Sequence, residues 1–343
     1  MIKYLGSKRL LIPKIREAIA DTLDKGTVID LYSGTSRVGF DLKTLGYHVH
    51  ANDYAAYAYT LANCYVAADA FTYLKDATEA IIDLHEGVSG YHAKYLKSGF
   101  FTHTYSDESW FFQKENAQKI EAVRNRIEDM NLTDKLFKSI LLTSLMEAAD
   151  RVDSTCGVQM AYLKQWSKRS FNPLSLRIPS LSLTGTGSTS NMLDTECLKT
   201  YTADLTYLDP PYNQHSYLGN YHIWETLVKW DEPEVYGKAR KRIDTKTRKS
   251  LWNSSKYALT AFQQVVDLLK SKYVVLSFNS TGYLSRQQIE DTLGKKYNLR
   301  TYEIKHPAYI GHKIGISNKS GVKVGTPSSS HVTEFLFVGT LIQ

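Results

Sequence analysis

Cysteine is scarce in this 343-residue chain: Cys64, Cys156 and Cys197 stand far apart and form no CxxC pair. That spacing argues against a disulfide framework and a cysteine-built zinc centre, leaving three small, partly buried thiols. No uninterrupted apolar run approaches the length of a membrane span. The opening "MIKYLGSKRLLIPKI" carries positive charge, but it lacks a continuous apolar core and a small-residue cleavage site. It reads as mature sequence of an intracellular protein. Internal repeats are not evident, and the full dinucleotide fingerprint G-x-G-x-x-G is missing.

What is abundant is positive charge and tyrosine. Lys and Arg outnumber Asp and Glu by 42 to 35, for a net charge of +7 and a pI near 9.0. Such a balance favours a polyanionic partner. The 24 tyrosines and five tryptophans supply flat rings able to stack on bases, although most rings in any protein belong to core or surface. The length allows one large or two modest domains.

Apolar spacing predicts a helix over 13–22. "TVIDLYSGTSRVGFDLKTLG" then reads as a buried strand, a Gly-containing turn and a helix ending at Gly46, and "YHVHAND" as a second short strand. This is the start of a doubly wound βαβ unit. Helical patterning dominates 55–84, 109–130 and 134–149, followed by the polar stretch "SLSLTGTGSTSN". Strand patterning returns in "ADLTYLDPP", in "YVVLSFNS" at 273–280, and in "LRTYEIKHP" and "VTEFLFVGTL". The expected fold is α/β: a doubly wound mixed sheet built from 1–84 and 186–343, with 85–185 as an inserted, mainly helical lobe.

Three strand ends carry chemistry. In "DLYSGTS", Asp30 to Ser36, small residues between a strand and a helix let a ligand approach the backbone and the helix N–H groups, as they would also serve an ordinary turn. Asp53 closes the second strand, where an acid can accept hydrogen bonds from both ribose hydroxyls, or simply cap a helix. In "DPPY" the prolines remove two backbone donors, so Asp209 and the Pro210 carbonyl form a pair of acceptors. Such a pair suits an amino group with two N–H donors, and Tyr212 offers a ring for a planar heterocycle. The plain alternative is a Pro-Pro strand terminator followed by a surface tyrosine.

"KYLGSK" at 3–8, "DLYSGTS" at 30–36, "ND" at 52–53 and "DPPYNQ" at 209–214, continued by "NYHIWETL", occur in a telling order. The set resembles the amino-directed DNA methyltransferases, specifically the alpha-group adenine enzymes that include the FokI-type modification methylases. The resemblance implies a Rossmann-like class I methyltransferase fold, S-adenosylmethionine as methyl donor, and a restriction-modification setting with a separately encoded endonuclease. It places Tyr4 and Lys8, with Gly6 and Ser7 between them, against the cofactor. Ser33, Gly34 and Thr35, in the same turn as Asp30, Tyr32 and Ser36, would cradle its methionine part, and Asp53 would hold its ribose. Ser36 departs from the family, which often has a second glycine there. Asn191 stands near the position of an acid that accepts from the cofactor's adenine amine, with Asp194 nearby.

The chemistry implied is in-line transfer to an extruded base held by Asp209, Pro210, Pro211 and Tyr212, without a metal or a covalent enzyme intermediate. A Pro-Cys nucleophile is absent. Cytosine's amine would fit the same acceptors, although the motif order points to adenine. An RNA methyltransferase and a non-catalytic DNA-binding relative are the other readings. Asn213 to Asn220, including Tyr217, would shape the pocket rim. Between Lys238 and Lys256 eight basic residues face one acid, Asp244. Arg240, Lys241, Arg242, Lys246, Arg248 and Lys249 are therefore expected at DNA phosphates, unless the run is only a solvated face. "YIGHKIGISNKSGVKVG" offers a second DNA-facing loop, and the lobe around 151–177 is the expected reader of target sequence.

Overall fold

Val28 and Ile29 are neighbours in the chain yet belong to different apolar cores. Leu205 and Tyr207 join Val28, whereas Leu208 joins Ile29; Val275 and Val274 divide the same way. Side chains alternate across a strand, so these strands bury both faces and need helices on each side.

A computed structural model describes residues 1–90, 96–307, 316–317, 323–325 and 331–342. Its strands are β1 Thr27–Asp30, β2 His48–Asn52, β3 Thr186–Ser190, β4 Leu205–Leu208, β5 Val235–Tyr236, β6 Lys241–Arg242, β7 Tyr273–Asn279, β8 Tyr297–Pro307, β9 Ile316–Ser317, β10 Lys323–Gly325 and β11 His331–Leu341. Seven form one sheet in the order β3-β2-β1-β4-β7-β11-β8. β11 runs antiparallel to both neighbours, and the other pairings are parallel. The mixed α/β sheet expected from the sequence is therefore present.

On one face lie the helices Ile12–Ala20, Arg37–Thr44, Ala56–Ala62 and Ala70–Glu86. Helices Lys114–Asp129, Lys135–Val152 and His222–Lys229 share that same apolar core. Asp194–Thr200, Ala258–Leu268 and Arg286–Leu293 cover the opposite face. The stretch 85–185 is mainly helical up to Val152, and its Ile120, Leu141 and Leu145 are continuous with the core over the sheet.

Several sequence expectations need correction. The helix expected over 55–84 is interrupted by a π turn, Asn63–Ala67, and restarts where Asp69 accepts the Thr72 N–H at 2.8 Å. The one expected from 109 begins only at Lys114. Most notably, the polar stretch 180–191 contains β3, the sheet's edge strand. Its hydroxyls take the place of apolar packing. His50 binds Ser188 at 2.8 Å and Ser190 at 2.9 Å, and Thr189 donates to Asn63 at 2.5 Å. At Gly187 a Cβ would stand 2.4 Å from the Val66 carbonyl, so only glycine admits the π turn so close. The loop 309–325 lies largely outside the described residues.

Charge ties down the segment ahead of the first helix. The Met1 ammonium pairs with Glu147, and Lys3 Nζ lies 3.3 Å from Asp150 and 3.1 Å from Asp153. The Leu5 N–H donates to the Tyr221 hydroxyl at 2.6 Å. These bonds hold residues 4–8 beside the carboxyl ends of the strands.

Candidate active site

Parallel strands β2, β1 and β4 lie side by side, and each delivers an acid at its carboxyl end: Asp53, Asp30 and Asp209. From β1 the chain steps outward to β2 and β3, then returns to place β4 on the other side of β1. Such a switch point leaves a crevice above the strand ends. A cavity of about 670 Å³ opens there, a volume suited to a small organic ligand. Tyr4, Gly6, Ser7, Lys8, Asp30, Tyr32, Ser33, Gly34, Thr35, Asp53, Asp209, Pro211 and Tyr217 all line it. Sequence motifs up to 213 residues apart thus meet in one place.

The turn after β1 is built for close approach. Gly34 has φ 50°, and a Cβ there would stand 3.2 Å from the Tyr4 ring. Ser36, where the family often has glycine, has φ 56° and ψ 25°, a left-handed conformation that L side chains resist. Asp53 Oδ2 accepts the Gly34 N–H at 2.9 Å and Oδ1 the Ala55 N–H at 2.9 Å. The acid expected to hold a ribose therefore also fastens the glycine turn to the end of β2. Burial raises its pKa to about 6, against those opposing N–H bonds.

Asp30 is almost fully buried; its Oδ2 accepts the Gly39 N–H at 3.1 Å, while Oδ1 has no partner among the described residues. Burial, followed by the negative charge of Asp209, raises its pKa to about 8. Ser33 Oγ is also buried without a partner. Orphaned polar atoms are rare in a folded interior, and here they stand at residues that line the cavity. A ligand with a cationic or hydroxyl-bearing end fits this wall.

Asp209 closes β4. Lys8 Nζ stands 2.8 Å from its Oδ1 and 2.8 Å from Glu334 Oε1. Burial opposes the charge on Lys8, but the two carboxylates prevail and raise its pKa well above the ordinary lysine value. Asp209 is raised to about 6, first by burial, with Lys8 opposing and Glu334 adding to the rise. Among the described residues its second oxygen, Oδ2, has no protein hydrogen-bond partner, and the side chain remains 20% exposed. The carboxylate is thus half engaged and half available.

Aromatic rings crowd one side. Tyr4 stacks on Tyr217 at 5.1 Å and on Tyr221 at 4.6 Å, and its hydroxyl lies 3.2 Å from that of Tyr57. Tyr212 and Pro210 are not among the residues that line the cavity, although Asp209 and Pro211 are. The Tyr212 ring meets Phe278 edge-on at 6.0 Å, with its hydroxyl 3.4 Å from where a Gly6 Cβ would sit. The Asn213 carbonyl accepts from Asn253 at 2.8 Å, which shapes the rim rather than facing the cavity.

Two groups of expected residues are redistributed. Asn191 is exposed and donates to the Asp53 carbonyl at 2.7 Å, away from the cavity wall. Asp194 lines the cavity instead, accepting from the Tyr32 hydroxyl at 2.7 Å and the Trp252 indole at 3.1 Å. In the basic run, Arg242 is 2% exposed and clamped by Asp231 at 2.6 Å and Asp244 at 3.2 Å, which removes it from any phosphate. Arg248 lines the cavity but is committed to Glu225 at 2.7 Å and the Tyr54 hydroxyl at 2.8 Å. Arg240 pairs with Glu108 at 3.0 Å. Lys246 sits over the Tyr236 ring at 4.3 Å, and Lys241 lies 3.0 Å from the Met160 sulfur. Lys249 lines the cavity and forms no ion pair among the described residues.

Sequence reasoning missed Glu334, Arg37 and Trp252. Arg37 opens the helix after the glycine turn, lines the cavity and has a buried Nε without a partner. Its position directly after "DLYSGTS" was the available signal. Nothing local to Glu334 or Trp252 marks either one. Among the described residues no cluster of His, Cys, Asp and Glu could hold a metal ion, and no helix is long and apolar enough to cross a membrane.

The family model for D12 class N6 adenine-specific DNA methyltransferases matches residues 4–292. Type II methyltransferase M.FokI of Planomicrobium okeanokoites is 30% identical over 325 residues, which is 91% of this chain and 50% of that protein. Modification methylase StsI of Streptococcus sanguinis is 29% identical, over 85% of this chain and 46% of its own length. Type II methyltransferase M.NlaIII of Neisseria lactamica is 30% identical, over 87% of this chain and 90% of its own. The chain spans about half the length of the first two relatives.

Proposed function

This chain belongs to the D12 class of N6 adenine-specific DNA methyltransferases, and from that premise we propose that it methylates the exocyclic amine of adenine in duplex DNA, as the protective half of a restriction-modification pair. The observation that carries the reading is Asp209. Its Oδ1 is held by Lys8, while Oδ2 has no partner among the described residues at the carboxyl end of β4, immediately before Pro210 and Pro211.

Adenine's amino nitrogen is a poor nucleophile because its lone pair is delocalised into the ring. Asp209 Oδ2 and the Pro210 carbonyl accept its two N–H hydrogens and draw the nitrogen towards tetrahedral geometry. That localises the lone pair and stabilises the positive charge it acquires. S-adenosylmethionine, when bound, supplies a methyl carbon whose bonding pair stays with sulfur as the N–C bond forms. One N–H proton then leaves along the line to Asp209. Tyr4, Ser33, Gly34, Asp30, Asp53 and Arg37 are the residues we assign to holding this donor. The unpartnered oxygens of Asp30 and Ser33 support that assignment. Since the amine is out of reach inside a duplex, the base must be extruded, with Tyr212 at its pocket edge.

DNA contact falls to the lysines rather than the clamped arginines. Exposed Lys246 and Lys249, with half-buried Lys241, remain from the basic run. The segment 153–173 adds exposed Lys164 and Lys168 beside Trp110, which is 46% exposed and stacks on Trp166 at 5.8 Å. This segment is bonded to the rim through Gln159, whose N–H donates to the Asn220 carbonyl at 2.7 Å. These features support 85–185 as the target-reading part. The test is incubation with labelled S-adenosylmethionine and mixed-sequence DNA, followed by mapping of the modified base. Label at adenine N6 is expected; label on cytosine, on RNA alone or on no nucleic acid overturns the reading.

A further inference from the structure

We propose that Glu334, on the antiparallel strand β11, is a positioning residue for methyl transfer: it fixes Lys8 on one oxygen of Asp209 and sets a second carboxylate against that ammonium. The inference rests on the reading of Asp209 as the amine's acceptor.

Glu334 has a buried side chain, 3% exposed, on a strand whose nearby Phe335, Leu336 and Phe337 are apolar. Burying an acid there costs stability, and replacing such an ionic cluster with apolar side chains would ordinarily cost nothing. The fold nevertheless orients this carboxylate carefully. Ser277 donates to Oε1 at 2.6 Å and Asn279 to Oε2 at 3.2 Å, both from β7, the strand paired with β11. Lys8 Nζ then bridges Glu334 and Asp209 at 2.8 Å to each.

The charge count gives this arrangement its meaning. Lys8 alone would neutralise Asp209, leaving a neutral pair facing a nitrogen that becomes cationic. With Glu334 added, two carboxylates share one ammonium and the trio carries a single negative charge. In a buried site such a charge is weakly screened and favours the developing cation. The same geometry engages Asp209 Oδ1 and leaves Oδ2 open. Other titratable groups near Asp209 are Asp30 at the end of neighbouring β1, Tyr207 on β4 itself, Tyr212 on the loop beyond and Tyr217 at the start of the short helix Tyr217–Asn220.

The test substitutes Glu334→Gln, which keeps the shape and one acceptor oxygen while removing the charge, in the full chain. Two readouts are taken: kcat on duplex DNA carrying the mapped target, and the titration of the Asp209 carboxyl by carbon-13 NMR without donor or DNA. A fall in kcat of about tenfold or more is expected, with the Asp209 midpoint moved to lower pH because a neighbouring negative charge is gone. A folded Glu334→Gln with parental kcat, or with an unmoved midpoint, overturns the proposal. Ser277→Ala, which removes one of the donors orienting Glu334 without removing its charge, is expected to lower kcat severalfold and covers the case in which Glu334→Gln does not fold; parental kcat overturns the proposal there too. Asp209→Ala, which removes the acceptor altogether, separates the two levels. If that variant still turns over, the reading of Asp209 fails; if it is inactive while Glu334→Gln is normal, only the role of Glu334 fails.

Discussion

Asp30→Asn isolates the cost of burying a carboxylate at the end of β1. The side chain is 1% exposed, with Oδ2 accepting from Gly39 and Oδ1 without a partner. Asparagine keeps the acceptor for Gly39 and removes the charge. In the folded protein burial, then Asp209, raises the Asp30 pKa from 3.8 to about 8. The native state therefore keeps a proton that the unfolded chain releases near pH 4. The stability associated with that proton is complete below pH 4 and is lost as pH rises towards 8. Each pH unit inside this window costs the parent about 1.4 kcal/mol relative to a residue that does not titrate. From pH 5 to pH 8 the gap between Asp30→Asn and the parent should therefore widen by about 4 kcal/mol in the variant's favour, an upper bound. Urea unfolding of the ligand-free protein at pH 5, 6.5 and 8 measures it. A gap that stays constant over that range refutes the reasoning, because it would mean that Asp30 is already ionised at no cost in the folded chain.

Four further outcomes follow from the same structure. Ser36→Gly should stabilise the ligand-free chain by about 1 kcal/mol, since it relieves a left-handed φ of 56°; a lower melting temperature contradicts this. Asp53→Ala should weaken S-adenosylmethionine binding at least tenfold by calorimetry, through both a lost acceptor and a loosened Gly34 turn, and unchanged affinity would remove Asp53 from the site. Lys249→Gln should reduce the slope of log affinity against log salt for DNA by about one, whereas an identical slope takes Lys249 off the interface. Arg242→Gln should leave that slope unchanged but cost about 1 kcal/mol of stability, because Asp231 and Asp244 lose one partner while Lys229 and Arg248 remain; a reduced slope with parental stability would return Arg242 to the DNA surface.

The contrast between Lys249 and Arg242 shows where reading the chain alone stops. Both belong to one basic run, and both have Asp244 within five residues. The decision lies with Asp231, whose carboxylate meets Arg242 only after the chain turns back on itself between β5 and β6, with Asp244 two residues on completing the clamp. Asn191 and Asp194 show the same limit over three residues. Spacing could not say which side chain of the turn before helix Asp194–Thr200 faces inward, and the bonds from Tyr32 and Trp252 select Asp194. β3 escaped notice for a different reason. Strand patterning is recognised by apolar alternation, and this edge strand is held by hydroxyl and imidazole hydrogen bonds instead.

By itself the sequence determined the local chemistry: acids where strands run out, glycine and serine in the tight turn, prolines that strip donors beside Asp209, and an apolar alternation demanding helices on both faces. Those features depend on neighbours within a few residues, so they are written in the chain directly. Only the tertiary structure decided which oxygens and cations remain available, because availability is set by partners from distant segments. Lys8 and Glu334 are separated by 326 residues yet share one proton-rich contact beside Asp209, and it is this contact that leaves a single carboxylate oxygen open to a substrate.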